Sequence, residues 1–211
     1  LSGDSRKANE RKAKMNVFDR IAQHYDSEKQ QALAQQILTV LKKEIGDCSQ
    51  NVILDYGCGT GLIGLELAQV CKEIILMDPS VEMMKIVNDK IQYAELTNTQ
   101  PITGSFSTEK IPEIQADNII VSLVLLHVPD TQELLNHLYL ALKDQGEIFI
   151  VDFDKNEHVQ HEKVHNGFDQ KELARKCELA GFKQMTSHTF YQSEALFMNQ
   201  AASLFILKAQ K

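Results

Sequence analysis

The chain has 211 residues, 43% of them hydrophobic and 24% charged, with a formal net charge of −7. Those values describe an ordinary globular protein with apolar residues enough for one substantial core, and the acidic balance argues against the broad basic face that nucleic acid requires. No apolar stretch reaches membrane-spanning length, no signal peptide is visible, and Cys48, Cys58, Cys71 and Cys177 show no zinc or redox spacing. The expectation is a soluble, reduced, cytoplasmic protein without a metal.

In chain order, residues 1–15 interleave Lys and Arg with small polar side chains and predict a flexible extension. Val17, Phe18, Ile21, Ala22 and Tyr25 recur at helical spacing, which predicts a short amphipathic helix over 16–26. Leu33, Ile37, Leu38, Leu41 and Ile45 predict a second helix that stops near Gly46. Then come a strand over 51–56, a helix over 61–71, a strand over 73–78 and a helix over 80–91, its start marked by Asp78-Pro79-Ser80. The segment 92–116 is irregular, with one short strand near Pro101-Ile102-Thr103.

Ile119 to Val124 is a continuous apolar run, as expected of a strand covered on both faces. Pro129-Asp130 opens a helix through Leu142, and Gly146 precedes a strand over Glu147–Phe153. A polar, histidine-rich segment, His158 to Asn166, leads to a helix capped by Asp169 that runs to Ala180. Two strands near 183–190 and 201–209 predict an antiparallel ending. Without repeat or linker, this alternation predicts one doubly wound α/β domain.

The most informative stretch is Val52 to Gly61, where an apolar strand meets Asp55 and then glycine at positions 57, 59 and 61. Glycine lets a loop take positive φ and bring its backbone against a ligand. A pyrophosphate on the helix start that follows would be repelled by Asp55, whereas a cofactor with an ammonium and a sulfonium would be attracted. S-adenosylmethionine carries both cations and no phosphate. Gly59-x-Gly61-x-x-Gly64 also fits the dinucleotide fingerprint, with Asp78 near the spacing of a ribose-binding acid, so an NAD(P)-dependent oxidoreductase is the alternative.

VILDYGCGTGLIGLELA, ILMDPSVEMM, DNIIVSLVLLHVPD and LKDQGEIFIVDFD, in that order, resemble the motifs of class I S-adenosylmethionine-dependent methyltransferases. Phe18-Asp19 and Ala22 through Tyr25-Asp26 resemble the N-terminal lid motif of the small-molecule members. The resemblance covers nearly the whole chain from about Phe18. It implies a mostly parallel, seven-stranded sheet with helices on both faces and an antiparallel C-terminal strand, with 16–46 as a helical lid and 47–211 as a Rossmann-like core.

For the cofactor, the resemblance implies that Asp55 and the backbone of Gly57, Cys58 and Gly59 hold the methionine part and Asp78 the ribose hydroxyls. Pro79, Met83 and Leu123 would pack the cofactor, and Tyr25 would close over it. Where many relatives have Gly-Asp-Ala beside the adenine amine, this chain reads Gly104-Ser105-Phe106. Ser105 can accept a hydrogen bond without charge assistance, and Phe106 can stack.

Methyl transfer needs alignment and dryness more than a triad, and none is visible. His127, after the fourth strand, is the candidate acid/base or acceptor-orienting group. Asp152 and His165 are candidate acceptor contacts. His158, His161 and His165 lack a convincing ligand set, so no metal is expected. The partner expected is a small-molecule methyl acceptor, with neither nucleic acid nor membrane. A cofactor-binding module without catalysis is the reading from another class.

Overall fold

Runs of Ile, Leu, Val and Met that are apolar on both faces make the centre of a sheet, and amphipathic helices cover it. The computed structural model describes residues 26–106, 113–156, 165–197 and 200–211. In order these form α1 (Glu28–Ile45), β1 (Val52–Tyr56), α2 (Gly64–Leu67), β2 (Glu73–Asp78), α3 (Val81–Tyr93), β3 (Thr99–Thr103) and β4 (Ala116–Ser122). A 3-10 turn (Leu125–His127), α4 (Thr131–Ala141), β5 (Leu142–Phe153), α5 (Gln170–Ala180), β6 (Lys183–Phe197) and β7 (Gln200–Gln210) follow. Among the described residues, no helix is long and apolar enough to cross a membrane.

The seven strands lie in the order β3-β2-β1-β4-β5-β7-β6. β1 to β5 pair in parallel, and β7 runs antiparallel between β5 and β6. The strand order reverses between β1 and β4, so the connections leave in opposite directions there and a crevice opens at the carboxyl ends. Alternate residues feed two layers. Leu54, Ile75, Ile119 and Ile148 pack with Leu135 and Leu138 of α4 and Leu173 of α5. Ile53, Ile74, Ile120 and Phe149 pack with Ile37 and Leu41 of α1, Leu67 of α2 and Val87 of α3.

Several elements differ from the sequence expectation, β6 by running on to Phe197 and β4 by covering Ala116–Ser122. The helix over 61–71 shrinks to the single turn α2, because Gly61 has φ +81°, outside the right-handed helix, and the Val70 N–H returns to Leu67 rather than one residue further back. β5 begins five residues early, at Leu142, across a register irregularity opposite β4. β3 extends over Thr99–Thr103, where Pro101 is tolerated because the strand is the sheet edge.

Asp152, on β5, is fully buried and accepts the N–H groups of Phe153 at 2.8 Å and Leu126 at 3.3 Å, anchoring the 3-10 turn. Burial pushes its carboxyl up to about 7, against those hydrogen bonds. Folded Asp152 therefore retains a proton that the unfolded chain releases near pH about 4, so stability falls as pH rises from there through about 7. The melting temperature of the ligand-free protein is expected to fall by several degrees between pH about 5 and about 8, with a shallower slope in Asp152→Asn. A melting temperature that rises over this interval would contradict that assignment.

Candidate functional site

The loop after β1 is tied to the end of β2. Gly57 and Cys58 both donate their N–H groups to the Met77 carbonyl, at 2.7 and 3.0 Å, and the Gly59 N–H donates to Asp78 Oδ2 at 3.0 Å. Gly57, Gly59 and Gly61 have φ of +74°, +55° and +81°, the left-handed region that glycine enters without strain. At Gly57 a Cβ would also lie 2.4 Å from Val124 Cγ2, so this loop and the end of β4 can meet only without a side chain there.

Asp55 lies beneath this loop with 2% of its surface exposed, and its Oδ2 has no hydrogen-bond partner. Burial raises its carboxyl to about 7; the Gly64 N–H opposes the shift and the charge of Asp78 adds to it. The Ser122 hydroxyl, at the end of β4, is likewise buried and unpartnered. Both residues line one small cavity of about 80 Å3, walled also by Gln30, Leu33, Ala34 and Ile37 of α1. Two buried polar atoms without partners are costly unless a ligand satisfies them. An ammonium carries three donors and a positive charge, which suits a carboxylate and a hydroxyl oxygen together. The site thus fits the amino-acid end of S-adenosylmethionine. Cys58 shares this cavity; burial first, then the charges of Asp55 and Asp78, raise its pKa well above the ordinary thiol value, so it remains a thiol.

A larger cavity of about 580 Å3 adjoins, lined by Asp78, Pro79, Met83, Ser105 and Phe106 on one side. Asp78 Oδ1 accepts the Ser80 N–H at 2.8 Å, while Ser80 itself caps α3 by accepting the Met83 N–H at 3.2 Å. Asp78 thus braces the start of α3 without being its cap. Phe106 stacks on Tyr56, ring centroids 5.1 Å apart, and donates its N–H to the Tyr56 hydroxyl at 3.2 Å.

Leu123 lines both cavities, and its φ of +56° places a non-glycine residue in the left-handed region, held by its N–H on the Val151 carbonyl at 2.8 Å. Such conformations gather at ligand sites, where the surrounding structure imposes them.

His127 sits at the far rim of the larger cavity, on the 3-10 turn. Partial burial lowers its pKa below the ordinary imidazole value. Asp152 and His165, expected as acceptor contacts, stand behind this turn instead. Asp152 holds the Leu126 N–H, the His165 N–H donates to the Leu126 carbonyl at 2.9 Å, and the His165 ring lies 3.0 Å from the Val128 carbonyl. Neither lines the larger cavity. Among the described residues no group of three metal-ligating side chains gathers. Tyr25, His158 and His161 lie outside the described residues.

Among the wall residues that sequence reasoning missed are Tyr56, Ser122, Glu133 and His137. Ser122 was signalled by being the one polar residue in the run Ile119–Val124. Glu133 and His137 were signalled by i, i+4 spacing on α4, which puts both on one face.

A family model described as "Methyltransferase domain" matches residues 25–196. An uncharacterized methyltransferase of Schizosaccharomyces pombe is 29% identical over 120 residues, 54% of this chain and 42% of that protein. A demethylmenaquinone methyltransferase of Listeria welshimeri is 27% identical over 103 residues, 47% of this chain and 44% of that protein. This chain thus spans less than half the length of these two relatives. The crystal structure of a SAM-dependent methyltransferase from Aquifex aeolicus superimposes with a TM-score of 0.69 at 18% identity, covering 91% of this chain and 97% of that one. The extent of the family match, together with a sheet order and glycine corner of this kind, leads to one conclusion: the chain belongs to the class I S-adenosylmethionine-dependent methyltransferases.

Proposed function

We propose that the protein transfers a methyl group from S-adenosylmethionine to a small-molecule acceptor. The observation that carries this reading is the unpartnered Asp55 carboxyl facing, with Ser122, the cavity beside the glycine loop. In this reading Asp55, Ser122 and the Gly57–Gly59 backbone hold the amino-acid end of the cofactor. The second acceptor lone pairs on the Asp78 carboxylate suit the ribose hydroxyls, and Pro79, Met83, Ser105, Phe106 and Leu123 enclose the base and sugar. The bound cofactor supplies a methyl group on a sulfonium, activated for in-line displacement. The chain's own task is then to align an acceptor and keep water out.

His127, Glu133 and His137 supply polar groups at the opposite end of the same cavity, among Val124, Val128 and Leu134. Its lowered pKa keeps His127 neutral near pH about 7, able to accept a proton from an acceptor. A small acceptor is supported by a cavity of about 580 Å3, whose described lining has neither Lys nor Arg to meet a phosphate backbone. The Listeria relative is named for demethylmenaquinone, a quinone and not a nucleic acid. The dinucleotide reading is disfavoured by a carboxylate with no compensating donor on Oδ2 at the loop that would cradle a pyrophosphate.

Calorimetry with S-adenosylhomocysteine and with NADH separates these readings, and saturable binding of the first alone is expected. Asp55→Ala and Asp78→Ala should each weaken that binding at least about tenfold, the worth of a hydrogen bond to a charged group; unchanged affinity in both would overturn the assigned roles. Turnover on a panel of nitrogen, oxygen, sulfur and carbon acceptors separates an enzyme from a binding module. With an active acceptor, His127→Ala should lower kcat about a hundredfold or more if it is the base, whereas a change confined to KM would make it an orienting contact only.

A further inference from the structure

We propose that Asp26 is a positioning residue for the cofactor, latching the start of α1 to the glycine loop and so seating α1 over the Asp55–Ser122 cavity. The inference rests on the cofactor reading above and adds to it a residue, and a contact, that controls how long the cofactor stays.

Asp26 immediately precedes Ser27, whose hydroxyl caps α1. Its carboxylate is gripped from two sides: Thr60 donates its hydroxyl to Oδ1, and Lys90 Nζ lies 2.6 Å from Oδ2. Lys90 Nζ also donates to the Thr60 carbonyl at 2.9 Å, and the Asp26 carbonyl accepts from the Gln31 side chain at 2.7 Å. Thr60 stands between Gly59 and Gly61 with 1% of its surface exposed. Three elements therefore meet at one carboxylate: the start of α1, the cofactor loop and the last turn of α3.

Burial along α1 shows why this contact matters to the ligand. Its buried residues are Ala34, Ile37, Leu38, Val40 and Leu41, so hydrophobic packing fixes the helix from Ala34 onward. Four residues of α1 wall the cavity shared with Asp55 and Ser122: Gln30 and Leu33 lie before that packed part, and Ala34 and Ile37 lie within it. The segment Glu28–Leu33 has no fully buried side chain; Leu33 at its end packs partly against the core, and the latch secures its start. The ion pair with Lys90, about one-third exposed on both sides, contributes little alone. The bond from the buried Thr60 hydroxyl to a carboxylate is the stronger half. Release of Asp26 would free the start of α1 to lift and open the amino-acid end of the site.

The test measures the dissociation rate of S-adenosylhomocysteine by stopped flow, alongside the ligand-free melting temperature, for wild type, Asp26→Asn, Lys90→Met, Lys90→Arg and the double variant Asp26→Asn/Lys90→Met. Asp26→Asn leaves Thr60 an acceptor oxygen but removes the charge and sets an amide donor against the Lys90 ammonium. It is expected to speed release about tenfold, the effect of losing the charge-assisted contact with Lys90 and the charge on the Thr60 bond, while the melting temperature falls little. Lys90→Met should have a smaller effect that Lys90→Arg largely removes, and the double variant should release no faster than Asp26→Asn. Release within twofold of wild type in Asp26→Asn, with or without lost stability, would overturn the latch while leaving the cofactor reading intact. So would independent, multiplying effects of Asp26→Asn and Lys90→Met. If wild type does not retain S-adenosylhomocysteine, the cofactor reading itself fails and the latch falls with it.

Discussion

A carboxyl group buried at the end of β1, with one oxygen facing no donor, constrains most of what surrounds it. Asp55 is removed from water by the glycine loop above and by α2 beside it, and that closeness requires missing side chains. A Cβ at Gly64 would stand 2.6 Å from Asp55 Oδ2 and 2.4 Å from Leu76 Cδ2, so the first residue of α2 has to be glycine for the helix to pack here. The same crowding explains Gly57 against Val124. The glycines are thus spaced to bring backbone against an acid as much as against a ligand. With its pKa at about 7, the acid keeps its proton below that pH until a cation arrives.

Asp152 shows what the fold does with a second buried acid of the same raised pKa. One oxygen meets the Phe153 N–H of its own strand and the other the Leu126 N–H of the turn that carries His127, so it serves architecture. The contrast between the two identifies the site better than burial alone. One carboxyl is satisfied by its own chain, and the other is left with an orphaned oxygen in a cavity. Both lie near the carboxyl ends of central strands, where the reversal of strand order between β1 and β4 opens the crevice.

The sheet was legible because Ile53, Ile74, Ile119 and Phe149 sit in unbroken apolar runs that only doubly covered strands need. The glycine corner was legible because few structures require glycine at alternate positions. What escaped depended on contacts distant in sequence. Nothing local to residues 61–71 shows that the α2 turn would close after Leu67. Leu142 read as the end of a helix and 143–146 as a connection, because only Leu142 pairs with β4 before the register resumes at Glu147. The structural role of Asp152 is set by the turn around Leu126, a long-range contact, so its place on a strand resembled that of an acceptor-binding acid. Tyr56 was hidden within its own motif, since its hydroxyl meets the N–H of Phe106, 50 residues away.

The proton balance of ligand binding probes the Asp55 carboxyl most directly. Binding of S-adenosylhomocysteine, measured calorimetrically at pH about 6 in buffers of different ionisation enthalpy, should release close to one proton per ligand, because pairing with the ammonium returns a carboxyl near pKa 7 to its charged form. Asp55→Asn should abolish that release. Tight binding with no proton released by the wild-type protein would contradict the assignment of Asp55 as the buried counter-charge of the cofactor.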